Sequence, residues 1–420
     1  MGVAQSAWRP GKGVQVDCED CPSFEPFGIE YDRDPHAVHA HLRQCHRVYD
    51  WEEMNGRLLT RHEDVDWLLK HAPVGTNPVH WRGTPTDASG DDSPWGRLRD
   101  QTITFKEGKE HARLRRSVFR AFTRNAVKRF VNPIRELVES ALDEAEASGA
   151  DFDLARDLSS RVPIKVLGFL IGVSPSMEAD FCRYAVRLQN AINPLSDQEA
   201  LDEADTAAVG FSEMIGEIIA RVTASPGEDL LSALVHHEEG DGRLDPKEIL
   251  GLATAIIMAG AESTGALVNH SLLALLRHPD QLARLRAQPE LLPTAIDELG
   301  RFDFPTKFVT RYPLVDIRIG DQTVEAGELV FASPGAANRD PRVFENPDEL
   351  DLARPRGPAL TFGAGAHYCL GASLARLESR EMIGQLIRRF SEIEQTSEPT
   401  FSPHFNIRLI SSLPLRLGRS

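Results

Sequence analysis

A chain of 420 residues with 47 Lys+Arg against 63 Asp+Glu carries a net charge of -16. That balance argues against nucleic acid or a polybasic membrane contact and confines any basic docking surface to a local patch. With 41% hydrophobic and 26% charged residues it is composed as a soluble globular protein, long enough for one large domain or two to three ordinary ones. Its cysteines, Cys18, Cys21, Cys45, Cys182 and Cys369, are sparse and odd in number, which excludes a disulfide framework and points to a reducing, cytoplasmic compartment.

The opening residues read as neither a secretory signal nor a membrane anchor, because Gln5, Arg9 and Lys12 interrupt the short apolar pieces. Met1-Gly2-Val3-Ala4-Gln5-Ser6 matches a myristoylation pattern by chance, and one lipid would anchor only weakly. Cys18-Glu19-Asp20-Cys21 with Cys45-His46 has the outline of a zinc site, but the acids between the thiols favour two loop cysteines and a core one. The spacing predicts a helix over 34–46, a hairpin over 48–59 turning at Asn55-Gly56, and a helix over 63–71. Together these make a β-containing N-terminal lobe over about 30–72. The Pro- and Gly-rich segment 73–104 reads as a lid over a pocket, with Trp81, Trp95 and Ile103 lining it, or else as a loop pinned by surface tryptophans. Lys109 to Arg116 then open a helix on which His111 and Arg115 share a face, by themselves a solvated basic stripe. From 131 to 239 the pattern is helical, with loops at Pro175, Pro194 and Pro226.

Asp245-Pro246-Lys247-Glu248 is a strong helix start, and no proline follows until Pro279. The run to Arg277, about 32 residues at roughly 1.5 Å each, spans about 48 Å. Glu262, Ser263, Thr264, Asn269 and His270 at its centre would be costly in lipid, so the run is read as a buried core helix. Within it Gly260 and the carboxyl of Glu262 both carry a cost, of about 1 kcal/mol for the glycine, and costs of this kind mark function. Glu298 and Arg301 pair at i,i+3 on a later helix. Beyond Phe304-Pro305, period-2 spacing through Val315, Ile317 and Ile319 predicts a strand, a turn at Gly320-Asp321 and a second strand near 329–331.

The most informative stretch is Thr361-Phe362-Gly363-Ala364-Gly365-Ala366-His367-Tyr368-Cys369-Leu370-Gly371, followed by a helical pattern. Gly363, Gly365 and Gly371 describe a tight loop presenting Cys369 at a helix N-terminus, where N–H groups and the dipole favour a thiolate. A buried cysteine beside a glycine turn is the plain alternative. The complete spacing Phe-Gly-x-Gly-x-His-x-Cys-x-Gly resembles the haem-binding loop of the cytochrome P-450 haem-thiolate monooxygenases of the soluble bacterial type.

The resemblance implies a mainly α fold with small β-sheets, a triangular prism-like single domain over 1–420 with haem between a long central helix and the Cys loop. A helical core would run over about 105–302 and a β-rich segment with the Cys loop over about 303–420. It implies haem b without flavin, Cys369 as the axial metal ligand whose electron donation favours O–O cleavage, and propionates held by His111, Arg115, Arg311 and His367. Phe362 and Gly363 would pack near the sulfur, Ala259 and Gly260 would leave room above the iron, and Glu262 with Ser263 would relay protons. The family more often has threonine where Ser263 stands, so Thr264 could share that role. Glu298, Arg301 and Arg354 would form a structural ion network. Leu188, Ile192, Ile256, Thr306, Lys307, Phe308 and Phe405 become pocket candidates, the first two on a pair of roof helices over 178–193 and 203–223.

The implied partners are ferredoxin and its reductase, O2 and a small hydrophobic substrate, for a monomer that binds neither nucleic acid nor membrane. Arg113, Arg116, Arg120, Arg124 and Lys128 offer a docking face for an acidic electron carrier. The expected reaction is hydroxylation of a steroid or terpenoid. O-demethylation or hydroxylation of a small aromatic compound is the alternative, with Lys307 as its one pointer. A peroxide-driven enzyme of the same fold and a non-catalytic haem-binding or gas-sensing protein are the rival functions.

Overall fold

The structure is a computed structural model that describes residues 24–83, 92–148, 152–193, 196–236 and 243–419. The Cys18-x-x-Cys21 spacing, the myristoylation pattern, Pro194 and the centre of the predicted lid lie outside the described residues. Cys45 is disulfide-bonded, which corrects the expectation of a chain without disulfides and removes the cysteine argument for a reducing compartment.

The long helix runs from Pro246 to Arg277 without a break. Its start is a reciprocal cap: the Asp245 carboxylate accepts the Glu248 N–H at 2.8 Å, and the Glu248 carboxylate accepts the Asp245 N–H at 3.0 Å. Two N–H groups that the helix geometry leaves unpaired are thereby satisfied. The helix packs against Arg161–Ile171, Glu178–Asn190, Gln198–Ala224, Leu292–Phe302 and Ala372–Arg389. It is long and apolar enough to cross a membrane, but 67% of its most apolar window is buried inside the protein. Polar residues at its centre have internal partners, Asn269 and His270 among them. Ser159 Oγ donates to Asn269 Oδ1 at 2.7 Å, and His270 sits between Asp303 Oδ2 at 3.1 Å and Arg408 O at 2.8 Å. Gly265 lets the π-helical turn Leu154–Ser159 close on the helix, since a Cβ there would lie 2.6 Å from Ser159 O.

The predicted N-terminal helices appear as His36–Cys45 and His62–Lys70, and the hairpin as Tyr49–Trp51 against Gly56–Leu59 with Asn55 in the left-handed region. A five-stranded sheet orders Tyr49–Trp51, Gly56–Leu59, Leu329–Ala332, Val309–Pro313 and Val74–Gly75. Gly56–Leu59 pairs in parallel with Leu329–Ala332, joining chain regions far apart in sequence. The turn at Gly320 closes a separate hairpin, Ile317–Ile319 with Gln322–Val324, and the latter strand lacks an apolar alternation by which it could be read. The predicted lid is partly regular: Pro94–Asp100 is helical, and Trp95, 2% exposed, enters the main core with its N–H on Asp205. Trp95 therefore is not a pocket wall, because the indole packs between helices.

Glu298 and Arg301 are both buried, bonded at 2.8 and 2.9 Å, and Arg354 Nε reaches Glu298 Oε1 at 3.0 Å. The remaining guanidinium N–H groups donate to the carbonyls of Asn338, Pro347 and Glu349 from Arg301, and of Glu345, Asn346 and Glu349 from Arg354. Because removal of the shared carboxylate strands two cations, Glu298→Ala is expected to cost about 3–5 kcal/mol in denaturant unfolding. Glu378, on Ala372–Arg389, is the opposite case. Its Oε2 has no partner among the described residues, and burial pushes its carboxyl well above the usual carboxylate range. The group is neutral when folded and ionised when unfolded, so its stability contribution is full below a pH of about 4.3 and is lost as pH rises. Relative to the parent, Glu378→Gln should gain stability between about pH 5 and 8, seen as a higher denaturant midpoint that the parent approaches only at lower pH.

Candidate active site

The cysteine loop is shaped by Gly363 and Gly365, with φ of 68° and 69°. Gly365 is also a close approach, since a Cβ there would lie 2.0 Å from Leu69 O of the helix His62–Lys70. No side chain fits both demands. The Cys369 N–H donates to Phe362 O at 2.8 Å and closes the loop. Gly371 differs from expectation: its φ is -80°, and it caps the helix Ala372–Arg389 rather than forming a left-handed turn. Burial pushes the Cys369 thiol up, while N–H groups of Gly371 and Ala372 and the charges of Arg115 and Arg376 pull it the other way. Arg376 lies 4.1 Å over the Phe362 ring and bonds Asp297 at 2.5 Å, so it braces the loop from behind.

Beside the thiol converge four basic side chains. His111 and Arg115 come from one face of the helix Gly108–Phe119. The His111 ring packs 4.2 Å from that of His367, and Arg115 Nη2 donates to Tyr368 O at 2.5 Å. Burial pulls Arg311 down to about 10, with Glu107 alone opposing it. Burial, then His111, Arg311 and Arg115, pull His367 down to about 3. Glu107 itself is engaged by the N–H groups of Thr76 and Asn77 and by His80. The two guanidinium groups, with Glu107 engaged by Thr76, Asn77 and His80, and the two imidazoles as further donors, suit an anion, and a dicarboxylate porphyrin beside a cysteine supplies it. These residues therefore fit haem.

The long helix, buried on both sides of its middle, is exposed at Ala259 and partly exposed at Met258, Gly260, Glu262 and Ser263. Ser263 Oγ donates to Ala259 O at 2.5 Å. Glu262 Oε2 lies 3.4 Å from His404 Nε2. Thr264, 4% exposed, turns into the packed side. A Cβ on Gly260 would lie 3.0 Å from Leu167 Cδ2, so this glycine serves helix packing and Ala259 is the small residue on the open side.

The pocket candidates divide. Trp81, Ile103, Ile192, Thr306 and Phe405 are partly exposed, with Phe405 stacked on Phe27 at 5.5 Å. Leu188, Ile256 and Phe308 are buried, Leu188 and Ile256 in the main core and Phe308 among Trp51 and Phe331, because each faces its own packing layer. Lys307 corrects the idea of a substrate partner. It is 1% exposed, and its ammonium binds Asp32 at 2.7 Å, Pro26 O at 2.8 Å and His404 O at 2.9 Å. Two of its N–H groups are spent on carbonyls, and its charge is paired with Asp32. Sequence reasoning passed over His404 and Arg376, since neither stands at a spacing that signals its distant partner.

A cysteine on a glycine loop at a helix start, a basic cluster beside it, and an acid and an alcohol on the exposed patch of a long core helix define a haem-thiolate oxygenase. The family model for cytochrome P450 matches residues 191–416. The chain is 32% identical over 411 residues to cytochrome P450 107B1 of Saccharopolyspora erythraea, covering 95% of this chain and 99% of that protein. Two solved structures are similar in fold. Epothilone B-bound cytochrome P450epoK has a TM-score of 0.88 at 28% identity, over 95% of this chain and 100% of that one. CYP109E1 from Bacillus megaterium in complex with corticosterone has a TM-score of 0.82 at 25% identity, over 92% of this chain and 99% of that one. The chain belongs to the cytochrome P450 family, is a haem-thiolate monooxygenase, and takes haem b as its cofactor.

Because a charge-assisted bond to a buried group is worth about 1.5–3 kcal/mol, Arg311→Ala should release haem about 10- to 100-fold faster. Transfer of haem to an excess of scavenging apoprotein measures this. An unchanged rate would remove Arg311 from the propionate set.

Proposed function

We propose that the chain is a single-domain enzyme that hydroxylates a C–H bond of a medium-sized hydrophobic substrate, a steroid or terpenoid, with electrons from a ferredoxin and its reductase. The observation that carries this reading is the exposed patch on the long helix, where Glu262 and Ser263 stand side by side and Ser263 Oγ is held on Ala259 O at 2.5 Å. Bound haem, with Cys369 as its axial ligand and His111, Arg115, Arg311 and His367 on its propionates, supplies the activation of O2. The protein's own groups move the protons: the Glu262 carboxyl passes them to Ser263 Oγ, whose own hydrogen is directed back to the helix so that its lone pairs face outward. Ser263 takes the alcohol role in preference to Thr264 because the latter is buried.

An apolar substrate is supported by the partly exposed Met258 on this patch and by the partly exposed Ile103 and Ile192 packed against the same core, and a steroid by the corticosterone bound to a similar protein. The small-aromatic reading loses its one pointer, since Lys307 is neutralised by Asp32. For the electron donor, Arg116, Arg120 and Lys128 are exposed on the helix that carries Arg115 or just beyond it, and offer positive charge to an acidic carrier.

With ferredoxin, reductase and NADPH, testosterone and related steroids should shift the haem spin state and be oxidised. Glu262→Gln and Ser263→Ala should each lower product per NADPH by about tenfold or more, and Thr264→Val by less than about threefold. The reverse order for Ser263 and Thr264 would move the alcohol role to Thr264.

A further inference from the structure

The carboxyl of Glu262 would be a loose side chain on a helix surface without a second contact, and the contact comes from a residue 142 positions away. His404 is 5% exposed and presents Nε2 to Glu262 Oε2 at 3.4 Å. Its other nitrogen, Nδ1, accepts the backbone N–H groups of Asn406 at 3.3 Å and Ile407 at 3.2 Å. An acceptor nitrogen carries no proton, so the neutral ring holds its hydrogen on Nε2, the nitrogen 3.4 Å from the carboxylate. The separation exceeds that of a short bond, which leaves the carboxyl held but free to exchange protons at Oε1.

The turn that carries His404 is pinned on all sides. Its carbonyl accepts Lys307 Nζ, and Lys307 N donates to Asn406 O at 2.8 Å. Arg408 N donates to Pro305 O at 2.8 Å, and the Arg408 guanidinium bonds Asp303 Oδ1 at 2.5 Å. From the roof side, Asn193 accepts Phe405 N–H and donates to Pro403 O, each at 3.2 Å. Burying Lys307 with Asp32 is costly in desolvation. The pair makes sense as a clamp on the strand and turn from which His404 reaches the long helix.

We propose that His404 is a positioning residue for proton delivery: its Nε2–H fixes Glu262 Oε2, orienting the carboxyl toward Ser263. This rests on the reading of Glu262 as the proton-delivering acid. The primary test is 15N-histidine NMR of the haem-loaded protein in its reduced, carbon-monoxide-bound, diamagnetic form, with His404→Gln identifying the resonance. The expected result is an Nε2–H tautomer with a protected proton whose shift moves in Glu262→Gln. An Nδ1–H tautomer, or a resonance indifferent to Glu262→Gln, overturns the inference. In turnover with testosterone as probe, His404→Phe should lower product per NADPH by about tenfold, as Glu262→Gln does, with KM unchanged. His404→Gln, which keeps an N–H donor, should restore it to within about threefold. If Glu262→Gln lowers coupling and both His404 variants match the parent, the inference falls while the role of Glu262 stands. If Glu262→Gln itself leaves coupling unchanged, the acid assignment falls and takes the role of His404 with it.

Discussion

Burial of the helix Pro246–Arg277 is the constraint on which the rest of the structure depends. Helices from most of the chain pack on it, and its apolar surface is consumed almost throughout. A helix so covered can expose a patch only where nothing packs, and that patch is Met258 to Ser263. The same packing rule explains the glycines. Gly265 admits the Ser159 backbone and Gly260 admits Leu167, so small residues near the patch are spent on neighbouring elements as much as on open space.

Electrostatics follow a second rule, that a buried charge must be answered. Glu298 is answered by two arginines and Arg301 by three carbonyls as well. Asp303 is answered by Arg408, His270 and His36. Against burial, which raises it, Arg408 and His270 hold its carboxyl well below the usual carboxylate range. Around Cys369 the basic groups of Arg115 and Arg311 gather with Glu107 as the acid opposing the Arg311 shift, and they suit a cofactor's pair of carboxylates.

The C-terminal turn that carries His404 connects the two themes. Buried pairs at Lys307–Asp32 and Arg408–Asp303 make no contact with Glu262 themselves, yet both hold the backbone from which the imidazole meets it. A lysine that reads in the sequence as a substrate contact is thereby a framework residue.

The local order of the chain settled much by itself. Asp245-Pro246 with Glu248 marks a helix start because capping is a contact between residues three apart, and Pro279 marks the end because it cannot continue the ladder. The spacing around Cys369 carries the ligand loop for the same reason, since its glycines and cysteine act within a few residues of one another. What is decided between distant residues was not legible. The strand Gln322–Val324, the burial of Trp95 and Lys307, the approach of Gly260 to Leu167 and the meeting of His404 with Glu262 all depend on which face each side chain turns to a partner from elsewhere in the chain. Periodicity reports that a face is apolar and leaves unsaid what covers it. Tertiary packing alone placed Ser263 on the open side of the helix and Thr264 on the closed one, because one helical step of about 100° separates a cavity wall from the core.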